Sequence, residues 1–114
     1  MTNEERAVWI GERLGLITKQ RERYWGTAYE LHDIAKEYTP IELNDWLSSP
    51  DGIAAVKMKM IERGYDYLIT SVRGFGFCCD FIPIISDGIF KGLGTTEAEA
   101  VLEATYKALR SEQS

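Results

Sequence analysis

Apolar and polar positions follow a helical period at both ends of the chain and a two-residue alternation between them. At the start, Thr2 and Glu5 have the spacing of a capping box, in which hydroxyl and carboxylate satisfy each other's orphan backbone donors. Val8, Ile10 and Leu14 follow as the apolar side of a helix that Gly15 stops. Residues 16–26 lack a clear period and read as irregular or loosely helical. Thr27 with Glu30 forms a second capping box, and Leu31, Ile34, Ala35 and Tyr38 continue at helical spacing as far as Thr39-Pro40. The pair Thr39-Pro40, with Glu42, opens a short helix carrying Ile41, Leu43, Trp46 and Leu47. Ser49-Pro50-Asp51 starts another, with Ile53, Val56, Met60 and Ile61 on one face, charged Lys57, Lys59, Glu62 and Arg63 elsewhere, and Gly64 at its end.

The pattern then turns to β. Tyr65 to Val72 alternates as a half-buried strand, and Arg73-Gly74 supplies a tight turn. Phe75, Phe77, Cys79 and Phe81 line one face of a second strand, which Pro83 marks as an edge or bulge. Ser86-Asp87-Gly88 turns into a short third strand, Ile89 to Lys91. Thr96 and Glu99 cap a final helix with Ala98, Val101, Leu102, Thr105 and Leu109 on its inner side. These elements predict an α+β fold: one small antiparallel three-stranded β-meander sandwiched by N-terminal helices and one C-terminal helix, in a single domain over 1–114, with no internal repeat or linker.

Composition supports one compact domain. The 114 residues, 13.0 kDa and 45% hydrophobic, can bury a core, and no low-complexity run argues for disorder. No apolar run approaches the roughly 20 residues of a membrane helix, and charged Glu4, Glu5 and Arg6 replace a secretory apolar segment. The expected setting is the cytoplasm. A net charge of −5 opposes bulk nucleic-acid binding, so any phosphate site must be a local cluster. The adjacent Cys78 and Cys79 point to opposite faces of a strand and read as free thiols in a reducing compartment.

Three stretches resemble the phage ABA-sandwich domain family, small proteins of phages and prophages. They are Ala7 to Leu16 (AVWIGERLGL), Ser48 to Met60 (SSPDGIAAVKMKM) and Gly92 to Leu109 (GLGTTEAEAVLEATYKAL). Together they cover just over a third of the chain; residues 18–46 have no clear counterpart, and Pro50-Asp51-Gly52 departs from the pattern. The shared motifs are structural, not catalytic. The resemblance implies a phage accessory protein. Because some small phage proteins of similar α-β build act as sponges for host immune signals, it brings sequestration of a cyclic nucleotide or cyclic ADP-ribose-type molecule into view.

Candidate chemistry concentrates at Lys91-Gly92-Leu93-Gly94-Thr95-Thr96, before the last helix. A helix start offers free N–H groups, glycines allow close approach, and Lys91, Thr95 and Thr96 add charge and donors for a phosphate. The competing reading is a strand-to-helix connection that needs only glycine and a cap. Arg73 and Phe75 in the hairpin pair a guanidinium with a ring, suited to phosphate and base or simply an exposed turn. Tyr106 and Arg110, four apart on the last helix, either hold a ring and a phosphate or close the core and favour the helix end. Lys19, Arg21, Arg23, Tyr24 and Trp25 form a basic, aromatic run that fits a nucleotide or a solvated face with Trp25 in the core. His32 is the single histidine and has no catalytic partner in sequence; no metal-ligand spacing and no cofactor motif occurs.

The expected function is therefore non-enzymatic: sequestration of a small phosphate-bearing ligand by a homo-oligomer, with Arg73, Phe75, Lys91, Gly94, Thr95, Thr96, Tyr106 and Arg110 as ligand contacts. The alternative is a protein-interaction module anchored by Trp25, Trp46 and Tyr38.

Overall fold

The structure is a computed structural model that describes residues 1–31 and 36–112. It is α+β, with helices packed on antiparallel sheets, but it contains two three-stranded sheets where one meander was expected. Each sheet belongs to its own compact unit, Met1–Leu47 and Ser48–Ser114, and both units run helix, three strands, helix.

The first unit comprises α1 (Asn3–Arg13), β1 (Ile17–Arg23), β2 (Gly26–Leu31), β3 (Glu37–Tyr38) and α2 (Pro40–Leu47), with strand order β1-β2-β3. The Thr2–Glu5 capping box forms as expected: Thr2 N–H donates to the Glu5 carboxylate at 3.0 Å, and Glu5 N–H to the Thr2 hydroxyl at 3.1 Å. Thr39 and Glu42 make the same pair at the head of α2. Ala7, Ile10, Leu14, Leu16, Tyr29, Leu31, Tyr38, Leu43 and Leu47 are buried.

Two expectations fail here. Residues 16–26, read as irregular, hold strand β1, and the helix from Thr27 towards Tyr38 is replaced by β2 and β3. The Thr27 hydroxyl donates to the Glu22 carboxylate at 3.2 Å instead of capping a helix. Ile34, Ala35 and His32 lie outside the described residues. The physical reason is that β1 is polar along nearly its whole length, so no alternation of hydrophobicity announces it. Its register is held by charge: Arg21 reaches Glu30 at 3.6 Å and Glu37 at 3.8 Å, and Arg23 Nε donates to Glu37 at 3.2 Å. Cross-strand pairs of this kind replace apolar burial on that face.

The second unit comprises α3 (Pro50–Glu62), β4 (Tyr65–Val72), β5 (Gly76–Pro83), β6 (Phe90–Gly94) and α4 (Glu97–Ser111), with order β4-β5-β6. Ser49 caps α3 by accepting from Gly52 N–H at 3.2 Å, with Pro50 in the first turn, as expected. The strand register places Tyr65, Tyr67, Ile69, Phe77, Cys79, Phe81 and Phe90 on one face. There Tyr65 meets Phe81 and Phe90 edge-on, both at 6.3 Å between centroids. Val56 and Met60 of α3 and Val101, Thr105 and Leu109 of α4 complete the core.

The last strand spans Phe90–Gly94, not Ile89 to Lys91, so Lys91-Gly92-Leu93-Gly94 is strand and not loop. Its glycines exist for packing. A Cβ on Gly92 would fall inside contact of the Ala100 carbonyl and 2.5 Å from the Ala104 nitrogen; one on Gly94 would overlap Glu99 and stand 2.8 Å from the Ala100 nitrogen. α4 therefore lies against β6 closer than any side chain allows. Among the described residues no helix is long and apolar enough to cross a membrane.

Candidate functional site

The residues expected to hold a phosphate do not form one site. Arg73 and Phe75 project from the β4–β5 turn, with Phe75 80% exposed. That turn does lie beside Gly94 and Thr95, whose backbone atoms are the nearest neighbours of Gly76. Lys91 faces the other side of the sheet, 3.9 Å from Asp80, while its carbonyl accepts from Lys107 at 2.9 Å. Tyr106 and Arg110 sit in the second half of α4, about 15 and 21 Å along the axis from Thr96 at 1.5 Å per residue. There the Arg110 guanidinium donates to the Tyr106 hydroxyl at 2.7 Å and lies over its ring.

The donors at the α4 start are also satisfied by the chain itself. Thr96 accepts from Glu99 N–H at 3.1 Å. The Glu99 carboxylate takes both the Thr95 N–H, at 2.9 Å, and the Thr95 hydroxyl, at 3.0 Å. Glu103 takes the Leu93 N–H at 3.2 Å. A phosphate here would have to displace an internal carboxylate that already complements the helix dipole.

The two arginines of the first unit's basic run are engaged likewise. Arg21 and Arg23 engage Glu30 and Glu37, and Arg23 holds the Glu37 carboxyl below its ordinary range through a hydrogen bond. Tyr24 and Trp25 stand out at the β1–β2 turn, so Trp25 is not a core anchor. Of the other expected interface anchors, Trp46 is half-buried and Tyr38 is buried. The thiols are buried on opposite sides of the sheet; burial pushes Cys79 up to about 12 and raises Cys78, so both stay protonated at neutral pH. Among the described residues no group of three His, Cys, Asp or Glu side chains is placed to hold a metal ion.

No family model, curated protein or solved structure matches the chain.

What the second unit does present is a groove of about 860 Å³ between α3, the start of α4 and Tyr67 of β4. Ala54, Met58 and Ile61 form its floor along α3, at the i, i+4, i+7 spacing of one helical stripe. Met58 is 58% exposed, Ile61 46% and Tyr67 39%, although nothing in the unit demands apolar side chains there. Lys57 lies along the wall, its ammonium 2.5 Å from Glu97 and 5.4 Å from the Tyr67 ring centroid. Thr96 and Glu99 close the end.

The sequence groups Ile61 with the buried face of α3 and sets Lys57 off that face; in the structure Ile61 is exposed and Lys57 is half-buried along the groove. α3 offers more apolar positions than its buried side uses, and Lys57 is drawn over Tyr67 by Glu97. The overlooked signal was Met58, an apolar residue outside the face drawn through Ile53, Val56 and Met60.

Proposed function

We propose that the chain acts by binding and not by catalysis, and that the α3–α4 groove takes an apolar segment of a protein partner. The observation that carries this is the Ala54-Met58-Ile61 stripe with Tyr67, left open in the folded unit. Such a stripe suits the i, i+4 anchors of an amphipathic helix or an extended apolar peptide. Met adapts to irregular partners, and the polar rim of Lys57, Thr96 and Glu97 gives direction. Phosphate finds a single lysine here, already paired with Glu97.

The test compares wild type with Met58→Glu and Ile61→Glu. Both positions are exposed, so the melting temperature should hold within a few degrees. Stoichiometric capture of a partner by wild type, lost in both variants, supports the reading. Capture that survives both charges sinks it.

A second reading is sequestration of a small phosphate-bearing molecule by a phage accessory protein. It rests on the resemblance to the phage ABA-sandwich family and on Lys57, Tyr67 and Thr96 facing one groove. Incubation with nucleotide second messengers, heat release and analysis of the released ligand separates the two. Retention of an unaltered nucleotide that Lys57→Ala abolishes would replace the protein-partner reading.

A further inference from the structure

We propose that the cleft between α1 and Tyr29 of the first unit binds a linear diamine or polyamine, with methylenes on its apolar floor and an ammonium at each end. The cleft lies outside the α3–α4 groove, and the proposal stands or falls separately from the reading given there.

The cleft holds about 350 Å³, at the lower end of small-ligand sites. Val8, Trp9, Tyr29 and Pro40 make a predominantly apolar floor. Tyr29 is buried, and Val8 and Trp9 are half-buried. Glu4 and Glu12 also line the cleft; with Val8 between them they fall at i, i+4 and i+8 on one stripe of α1. Eight residues at 1.5 Å each set the two acids about 12 Å apart along the helix axis. The carboxylates therefore belong to opposite ends of the apolar floor.

The fold gives neither acid a partner. Among the described residues, the side chains of Glu4 and Glu12 make no hydrogen bond and no ion pair. Glu4 complements the helix dipole from the first turn, but Glu12 stands in the last turn, where the dipole favours a base. Glu5, also at the rim, is already committed to Thr2 and the amino terminus. Among the described residues no lysine or arginine lines the cleft. The negative field reaches the floor: the Tyr29 hydroxyl is raised by burial first and then by the Glu12 and Glu22 carboxylates. The Trp9 ring suits a cation as well, since the Arg13 guanidinium lies over it, 5.3 Å from the centroid, without lining the cleft. A ligand that answers all of this carries positive charge at both ends and methylenes between. A metal ion would leave the floor uncovered, and a monoamine would leave one carboxylate unanswered.

Calorimetric titration of the full chain with α,ω-diaminooctane, whose extended chain is of that length, tests this. One molecule should bind per chain, with Kd below about 1 mM. The shorter α,ω-diaminobutane cannot reach both ends, and octylamine carries one charge; each should bind several-fold more weakly. Glu4→Gln and Glu12→Gln should each weaken diaminooctane binding about threefold to tenfold, and less at high salt. Asp45→Asn, which removes an exposed acid of α2 outside the cleft, should leave it unchanged. No binding at about 1 mM diaminooctane overturns the proposal. Equal binding of octylamine also overturns it, because the floor alone would then hold the ligand. So does an equal loss in Asp45→Asn, which would reduce the effect to the chain's net charge of −5. Amide shifts in a nuclear magnetic resonance titration should centre on α1 and Tyr29, and shifts centred elsewhere count against the cleft.

Discussion

The two units use the same order of elements and hold their sheets by opposite means. In Met1–Leu47, one sheet face is a ladder of Arg21, Arg23, Glu30 and Glu37, partly exposed and bound by charge. In Ser48–Ser114, the corresponding packing is Phe81, Cys79, Tyr65 and a helix pressed onto glycines. Topology is therefore indifferent to which force holds a sheet. The force decides what breaks it.

The largest difference should come from filling the glycines. Gly92→Ala drives a methyl into the backbone of α4 at Ala100 and Ala104, which cannot yield without moving the helix. Overpacking of this kind costs about 1–3 kcal/mol, and rigid backbone on the receiving side points to the upper end or beyond. In the first unit, Gly11→Ala meets only the Ile17 side chain, 2.8 Å from its Cδ1 tip and 3.0 Å from its Cγ1. That tip can rotate, and alanine gains about 1 kcal/mol of helix propensity over glycine. Denaturant unfolding of the two variants should show a large loss for Gly92→Ala and a near-neutral Gly11→Ala. Equal losses would mean that both units are packed alike.

A middle effect lies on the alkaline side. Burial, with help from the Glu112 hydrogen bond, pushes the Tyr65 hydroxyl up to about 12, and burial pushes Cys79 to about 12 as well. A group whose folded value is raised contributes stability below its unfolded value and loses it as pH climbs through the folded one. The second unit should thus weaken from about pH 9, the ordinary value for a thiol, through about 12. Tyr29 in the first unit is also raised, by burial first and then by the Glu12 and Glu22 carboxylates. Melting followed by near-ultraviolet dichroism should show the loss, and Tyr65→Phe should flatten its upper part. An alkaline limb unchanged in Tyr65→Phe would remove this tyrosine from the account.

The same contrast explains what could be read from sequence. Helix starts were legible at Thr2, Thr39, Ser49 and Thr96 because a cap is local chemistry between residues three apart. The second sheet was legible from Tyr65 onwards because its inner face alternates apolar side chains. The first sheet was not, since β1 owes its register to Glu30 and Glu37, residues it finds only after folding. Gly92 and Gly94 misled for a related reason: a glycine needed for helix contact and a glycine needed for a phosphate look identical in one dimension. The groove residues Met58 and Tyr67 hid within patterns that also make a core.

The smallest effect belongs to the charge ladder, and it runs the other way with pH. Arg23 holds the Glu37 carboxyl below its ordinary 4.5, and Thr2 and Thr39 do the same for Glu5 and Glu42. A depressed value contributes stability above the unfolded value, lost as pH falls through the folded one. All three carboxylates are in the first unit, so acid below about pH 4.5 should loosen it. Their exposure keeps each contribution small and open to screening by salt. Glu37→Gln should lower the protection of β1 and β2 amides slightly at pH 7, less so at high salt. The variant and wild type should converge in acid, once pH has fallen far enough to remove the Glu37 charge in both states. If the difference persists there, the side chain acts through packing, and the first sheet is held by the same means as the second.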